Sequence, residues 1–414
     1  MGDRWDHIPA DAFMEILRRV PSSPRRRLRL VCRHWRSVID DRTPATQAQP
    51  MVLAFVVGHD VPCAYVLDDL TTEHGTSGRE LKLPRAALDW GVSMVGTCNG
   101  LLCLRRRWED DFIVVNPVTG EKLAVPPPPE PHGGSQKADA YGFAYHPATG
   151  LYKIVHVPWI GEVNVFALGD GAWREVTLPV PIWLRRVPSF GLTNVGGAMY
   201  WVATDPHFQS HSVMSLDVKD ERVVFVATLP VRIGLTHLSW HLTTDLRGRL
   251  VFALCFRETK QGRMLKGIHA KVWILDDGET SKNPPEWVLL CTVVDSGQEL
   301  PQGIALPHVI HGEHILTTQA RAGYEYDRRV SLHACHLSEA RTLDGVVRME
   351  GSPSIGMYDA CRSLQTFAYV ETMEPLALYR GNGCGIGDSE EWDWRFDGGE
   401  RRWKLMSCSS SSLL

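Results

Sequence analysis

The chain of 414 residues has ten cysteines but no Cys-x-x-Cys pair. That scatter excludes a dense secreted disulfide framework and the usual zinc spacings. The thiols read instead as small buried apolar residues in a reducing compartment. Long apolar runs are also missing. The longest, "MVLAFVV" at Met51–Val57, is far too short to span a bilayer. The opening "MGDRWDHIPAD" is charged and lacks the apolar stretch of a signal peptide. Asp6 stands where N-myristoylation wants Ser or Thr. Neither charge dominates, with 44 Lys and Arg against 48 Asp and Glu and a net charge of −4. A protein that coats a polyanion along its whole length is thereby excluded. There is no Gly-x-Ser-x-Gly elbow, Walker loop or His-Glu-x-x-His pair. The expectation is a soluble intracellular protein, cytoplasmic or nuclear, needing neither metal nor cofactor.

What charge imbalance exists is local. Residues 1–50 carry ten Arg and Lys against six Asp and Glu, while the rest of the chain is acidic. This places a boundary near residues 45–50. Upstream of it, "IPADAFMEILRRVP" reads as a helix. Pro9, after Ile8, suits the first turn, where a missing N–H costs nothing, and Pro21 stops the helix. Phe13, Ile16, Leu17 and Val20 recur at i, i+3, i+4, i+7 and make one apolar face. "SSPRRRLRLVCRHW" repeats the grammar, with Ser23 as cap and Pro24 in the first turn. Leu28, Val31, Cys32 and Trp35 form its apolar stripe. Arg26, Arg29, Arg33 and Arg36 fall on a different flank. A solvated helix flank explains those arginines better than a nucleic-acid stripe, because no aromatic residue interleaves with them. Helices totalling about 40 residues cannot bury enough surface to stand alone. Both stripes must dock on something.

Those residues resemble a known family. Ile8-Pro9, then "EIL" at Glu15–Leu17, then Val20-Pro21, then "LVCRHWRSVI" at Leu30–Ile39 look like an F-box. One departure is Arg25-Arg26, where many members carry two apolar residues. The resemblance implies a trihelical domain over residues 1–45. It would dock on the SKP-type adaptor of an SKP–cullin–F-box (SCF) ubiquitin ligase and, through it, on a cullin–RING assembly. Ile8, Pro9, Phe13, Ile16, Leu17, Val20, Pro21, Leu28, Val31, Cys32 and Trp35 would make that contact.

From residue 51 the grammar changes to short Val-, Ile-, Phe- and Trp-rich runs separated by Gly and Pro. Runs closing on Leu-Pro or Val-Pro end at Pro84, Pro126, Pro179 and Pro230, at intervals of 42, 53 and 51 residues. Two looser units end near "EWVLLCTVV" and "DGVVRMEG". Three or four strands per roughly 50 residues, about six times over, predict a mainly antiparallel β-propeller across residues 51–375. Seven or eight blades are also compatible with the count, and a large β-sandwich fits the period less well. The fold class is therefore α+β by domain. "LQTFAYVE" near the end is placed to pair with "VLAFVV" near the start and close the ring. In "VVNPVTGE" and "YHPATG", Pro117 and Pro147 preset φ, and Gly120 and Gly150 can take positive φ. These runs, with "CNGLLCL" and "GLYKIVHV", are similar to the F-box-associated domains that follow plant F-boxes. That resemblance implies a domain that holds a target protein for ubiquitination.

Three further features stand apart. Trp159, Trp183, Arg185, Arg186 and Trp240 are candidate target-binding residues, since Trp and Arg make binding hot spots. His308, His311 and His314 in "HVIHGEH" are spaced as ligands, but on a strand pair such residues alternate faces. Residues 381–414, rich in Gly, acids and terminal Ser, read as a disordered tail. The rival readings are a propeller enzyme with a helical appendage, which requires clustered carboxylates or metal ligands, and an RNA binder using the Arg-rich helix.

Overall fold

The computed structural model describes residues 50–380 except 58–61, 68–69, 71–78, 85–90, 107–110, 130–138, 147–148, 159–160, 177–184, 187–191, 205–210, 234–236, 246–247, 257–258, 261–262, 265–268, 277–284, 295–301, 322–328, 338–345, 349–353 and 359–362, and further describes residues 392–397 and 400–405. The expected trihelical segment, residues 1–45, lies outside the described residues.

Apolar runs of six or seven residues in an antiparallel sheet need partners on both faces. The chain meets that need with six four- to five-stranded sheets standing side by side. The second blade shows the plan, running Val92–Cys98, Leu101–Arg106, Asp111–Val115 and Lys122–Val125 from inside to outside. The third repeats it with Ala140–His146, Leu151–Val157, Val163–Ala167 and Arg174–Val176. The fourth sets the short inner strands Arg185–Arg186 and Thr193–Val195 against Ala198–Thr204, followed by His211–Asp217 and Val223–Thr228. His237–Thr244, Leu250–Phe256, His269–Asp276 and Glu286–Val294 make the fifth. The sixth has inner strands Gln302–Ile304 and Ile310–His311, then His314–Arg321, Arg329–His336 and Ser354–Tyr358.

The first blade closes the ring. Its outer strands, Met51–Val57, Cys63–Leu67 and Arg79–Glu80, come from the start of the domain, and its innermost strand, Ser363–Tyr369, comes from the end. Met51 pairs with Tyr369 and Val57 with Ser363. The pairing expected between "LQTFAYVE" and "VLAFVV" is therefore the closure itself.

Pleat alternation distributes the core. Along Met51–Val57, Leu53 and Phe55 pack against Val92, Met94 and Leu104 of blade two. Val52, Ala54 and Val56, on the opposite side, pack against Ala305, Leu316 and Leu332 of blade six. The same division gives one apolar cluster between every neighbouring pair of blades: two and three, three and four, four and five, five and six. Six clusters between six sheets make a closed six-bladed β-propeller, and the blade number is six.

The runs ending at Pro84, Pro126, Pro179 and Pro230 do carry the outermost strands of blades one to four. "DGVVRMEG" departs from expectation. Val346–Arg348 does not finish blade six but lies parallel to Thr292–Val294 on the outer edge of blade five. That edge strand is long, and its open N–H and C=O groups take a nearby extended segment ahead of chain order. Blade six ends instead on Ser354–Tyr358. Within the segment read as a disordered tail, Trp392–Asp397 and Glu400–Leu405 pair as an antiparallel hairpin. The alternating "WDWRF" and "RRWKL" runs around Asp-Gly-Gly carry that pattern.

Candidate functional site

In blade two the turns joining first to second strand, and third to fourth, lie on one face, termed here the upper face, and the first-to-second turn of blade three lies on it too. On it the sequence motifs of blades two and three converge. Asn99 and Gly100 have φ of 47° and 82°, the conformation that a two-residue hairpin between Cys98 and Leu101 requires. In the turn after Val115, the Asn116 carboxamide oxygen accepts from the N–H groups of Val118 and Thr119 (2.9 and 3.2 Å). Gly120 takes φ 76° there, as Gly150 does in blade three.

The rest of Asn116 faces a segment distant in sequence. After closing the ring at Tyr369, the chain runs as an extended strap over Val370–Arg380 across blades two and three. The Asn116 side-chain NH2 donates to the carbonyls of Thr372 (3.2 Å) and Glu374 (2.9 Å). A Glu121 carboxylate oxygen accepts from the Leu376 N–H at 2.9 Å. A Cβ on Gly100 would stand 2.5 Å from the Val370 carbonyl, so only glycine lets the strap lie this close. Leu376 and Tyr379, in the short 3-10 turn Leu376–Tyr379, enter the core between blades two and three. The Tyr379 ring meets Tyr152 edge-on at 5.5 Å, and its hydroxyl donates to the buried Glu374 carboxylate at 2.7 Å. Asn99 donates to the Tyr152 hydroxyl at 3.2 Å. Burial, then the nearby Glu374 charge, raises the Tyr152 pKa and keeps that phenol protonated. Arg79 pairs with Glu371 at the root of the strap.

Two other polar groupings join blades. Lys153, buried between blades three and four, donates to the Val218 carbonyl and the Glu221 carboxylate, each at 2.6 Å. Arg174 reaches the same carboxylate oxygen at 2.7 Å. Burial alone would raise the Glu221 pKa, but the bonds from Arg174 and Lys153 outweigh it and hold the carboxyl low. At the seam between blades five, six and one, Thr366 donates its N–H to the Leu306 carbonyl and its hydroxyl to the His308 carbonyl, both at 2.8 Å. His308 Nε2 and His311 Nδ1 lie 3.0 Å apart. His241 is also fully buried there. Desolvation drives both His241 and His308 down to about 3, so both are neutral.

These groups hold chain to chain. Among the described residues no cluster of His, Cys, Asp and Glu is arranged for a metal ion. His311 and His314 are opposite partners in a hairpin, and His314 stacks edge-on with His336. Burial pushes the Cys98 thiol up to about 12 and Cys103 higher still, which leaves both poor nucleophiles. No helix of the described residues is long and apolar enough to cross a membrane.

The candidate binding residues do not assemble into one described site. All eleven adaptor-docking positions from Ile8 to Trp35, with Trp159 and Trp183, lie outside the described residues. Arg185 and Arg186 form a short strand against Thr204 and Ala203 at the inner edge of blade four. Trp240 sits on the inner strand of blade five opposite Leu254. It is half-buried and packs against the cluster between blades four and five, because strand alternation turns it toward the neighbouring blade. The sequence carries no periodic signal for the strap; the polar Asn116 and Glu121 at the mouth of an apolar strand pair are the residues that mark it.

The sequence profile of the F-box associated beta propeller domain matches residues 66–299, and that of the F-box domain matches residues 5–45. Among curated relatives, F-box protein At5g65850 of Arabidopsis thaliana is 24% identical over 281 residues, which cover 66% of this chain and 68% of the relative. F-box protein At3g07870 of the same plant is 29% identical over 167 residues, 38% of this chain and 39% of the relative. With the propeller profile spanning more than half of a chain that folds as six blades, and an F-box ahead of it, the protein belongs to the F-box proteins with an associated β-propeller domain.

Proposed function

We propose that this chain is the target-selecting subunit of an SCF-type ubiquitin ligase. In this reading three short N-terminal helices present Leu17, Leu28, Val31 and Trp35 to a groove of an SKP-type adaptor, which links them to a cullin–RING assembly. The propeller holds the protein to be modified. The chain performs no bond chemistry. It raises the effective concentration of target lysines near a ubiquitin-loaded enzyme. It acts in the cytoplasm, the nucleus or both, on protein partners, with no part for a membrane or a nucleic acid. The observation that supports this most is the union in one chain of an F-box match and a closed propeller whose described polar clusters are structural.

Co-expression with an SKP-type adaptor tests it. A stable complex is expected from the wild-type chain and none from Leu17→Asp combined with Trp35→Ala. Failure of the wild type to form a complex, under conditions that capture other F-box chains, sinks the proposal.

A further inference from the structure

Nine large apolar side chains are conspicuously exposed among the described residues, and they fall into two sets. Five lie on the outer strands of blades four and five: Val224, Phe225, Val288, Leu289 and Leu290. The other four are on the upper face, around the strap. Met373 (58% exposed) and Leu378 (41%) belong to the strap itself. Val118 (42%) is in the turn whose Asn116 grips the strap on either side of Met373, and Leu151 (39%) precedes the Tyr152 that packs on Tyr379. A segment held this firmly by its backbone, while turning Met and Leu outward, is built to be covered.

The N-terminal chain departs from the same face. Met51 pairs with Tyr369, the residue from which the strap starts. Pro50 lies near the His311 ring, beside the upper-face turn at Gly312-Glu313. The F-box match ends at residue 45. The residues between it and Met51 reach at most about 18 Å fully extended. A compact unit of that length has a radius of gyration of about 9 Å, against about 20 Å for the propeller. An F-box on so short a tether has no room to leave the upper face.

We propose that the F-box, residues 5–45, rests on the strap, with Met373 and Leu378 as the apolar contact and Val118 and Leu151 at its margin. The strap then has two sides with two tasks. Leu376 and Tyr379 anchor it inward to blades two and three, and Met373 and Leu378 fix the F-box outward at one orientation to the propeller. This inference uses the presence of the F-box and does not depend on what the F-box binds.

Photo-cross-linking in the full chain tests it. Benzoylphenylalanine replaces Met373 or Leu378, with Phe225 on the rim as control, and cross-linked peptides are identified by mass spectrometry. Peptides from residues 1–49 of the same chain are expected at positions 373 and 378, at least tenfold above position 225. Adducts to a second copy, distinguished by mixing isotope-labelled chains, would overturn the proposal. So would adducts to a bound partner protein alone, or none from residues 1–49. As a second measurement, Met373→Asp with Leu378→Asp is expected to raise deuterium uptake in peptides from residues 5–45 several-fold, with the propeller's melting temperature unchanged. Unchanged uptake at unchanged melting also overturns it. Loss of adaptor binding by Leu17→Asp and Trp35→Ala is a separate readout, so either conclusion can fail without the other.

Discussion

Several buried polar residues of this propeller join distant parts of the chain, and two histidines at the closing seam have a measurable consequence. His241 and His308 are packed at the closing seam, and burial lowers both from 6.5 to about 3. In the unfolded chain they return to an ordinary histidine value near 6.5. Below that pH the unfolded state binds protons that the folded state refuses. Stability is therefore complete above about pH 6.5 and falls as the pH drops toward 3, by up to about 1.4 kcal/mol per pH unit for each group. Chemical denaturation between pH 7.5 and 5, above the range where most carboxylates titrate, is expected to show this decline, and a flat profile would refute it. The sequence showed the histidines and their spacing. It did not show that His308 lies against Thr366, because that contact depends on closure of the ring.

At the scale of elements, strands whose apolar residues run unbroken were legible: Met51–Val57, Leu101–Arg106, Leu250–Phe256 and Glu286–Val294 all lie where hydrophobicity puts them. Alternation failed where pairing ignores chain order, as with Val346–Arg348. It gave no notice of the strap, which has no repeating pattern and little secondary structure beyond the short turn at Leu376–Tyr379. Its energetics are nonetheless those of core. Burial of Leu376 and Tyr379 contributes about 3–6 kcal/mol by area. Loss of the bonds from Asn116 also leaves a buried carboxamide without its partners, at a cost of about 1–3 kcal/mol. A chain ending at Arg380 should melt like the full propeller. One ending at Tyr369, with the closing strand intact, should melt many degrees lower. Equal melting of the two would show that the strap contributes nothing.

The whole molecule is a ring fastened by one strand. Each blade buries its faces on two neighbours, so an open ring leaves two uncovered sheets, one on blade one and one on blade six. A chain ending at Arg362 lacks Ser363–Tyr369 and with it Phe367 and Tyr369 of the cluster between blades one and two. It is expected to bind a hydrophobic dye and aggregate, whereas the chain ending at Tyr369 stays monomeric. A soluble, dye-silent product from the shorter chain would contradict closure by that strand. The six-fold plan was legible from the spacing of Leu-Pro and Val-Pro ends, but the direction in which an N-terminal domain leaves the ring was not, because pleat and period are the same for either face. The pairing of Met51 with Tyr369 also sets an order in time. A ribosome making this chain releases the Met51–Val57 strand about 300 residues before its partner, roughly 15–60 s at ordinary elongation rates. Through that interval the N-terminal segment has left the ribosome while the ring is still open. In the function proposed above, docking of that segment on an adaptor would precede completion of the surface proposed to hold a target.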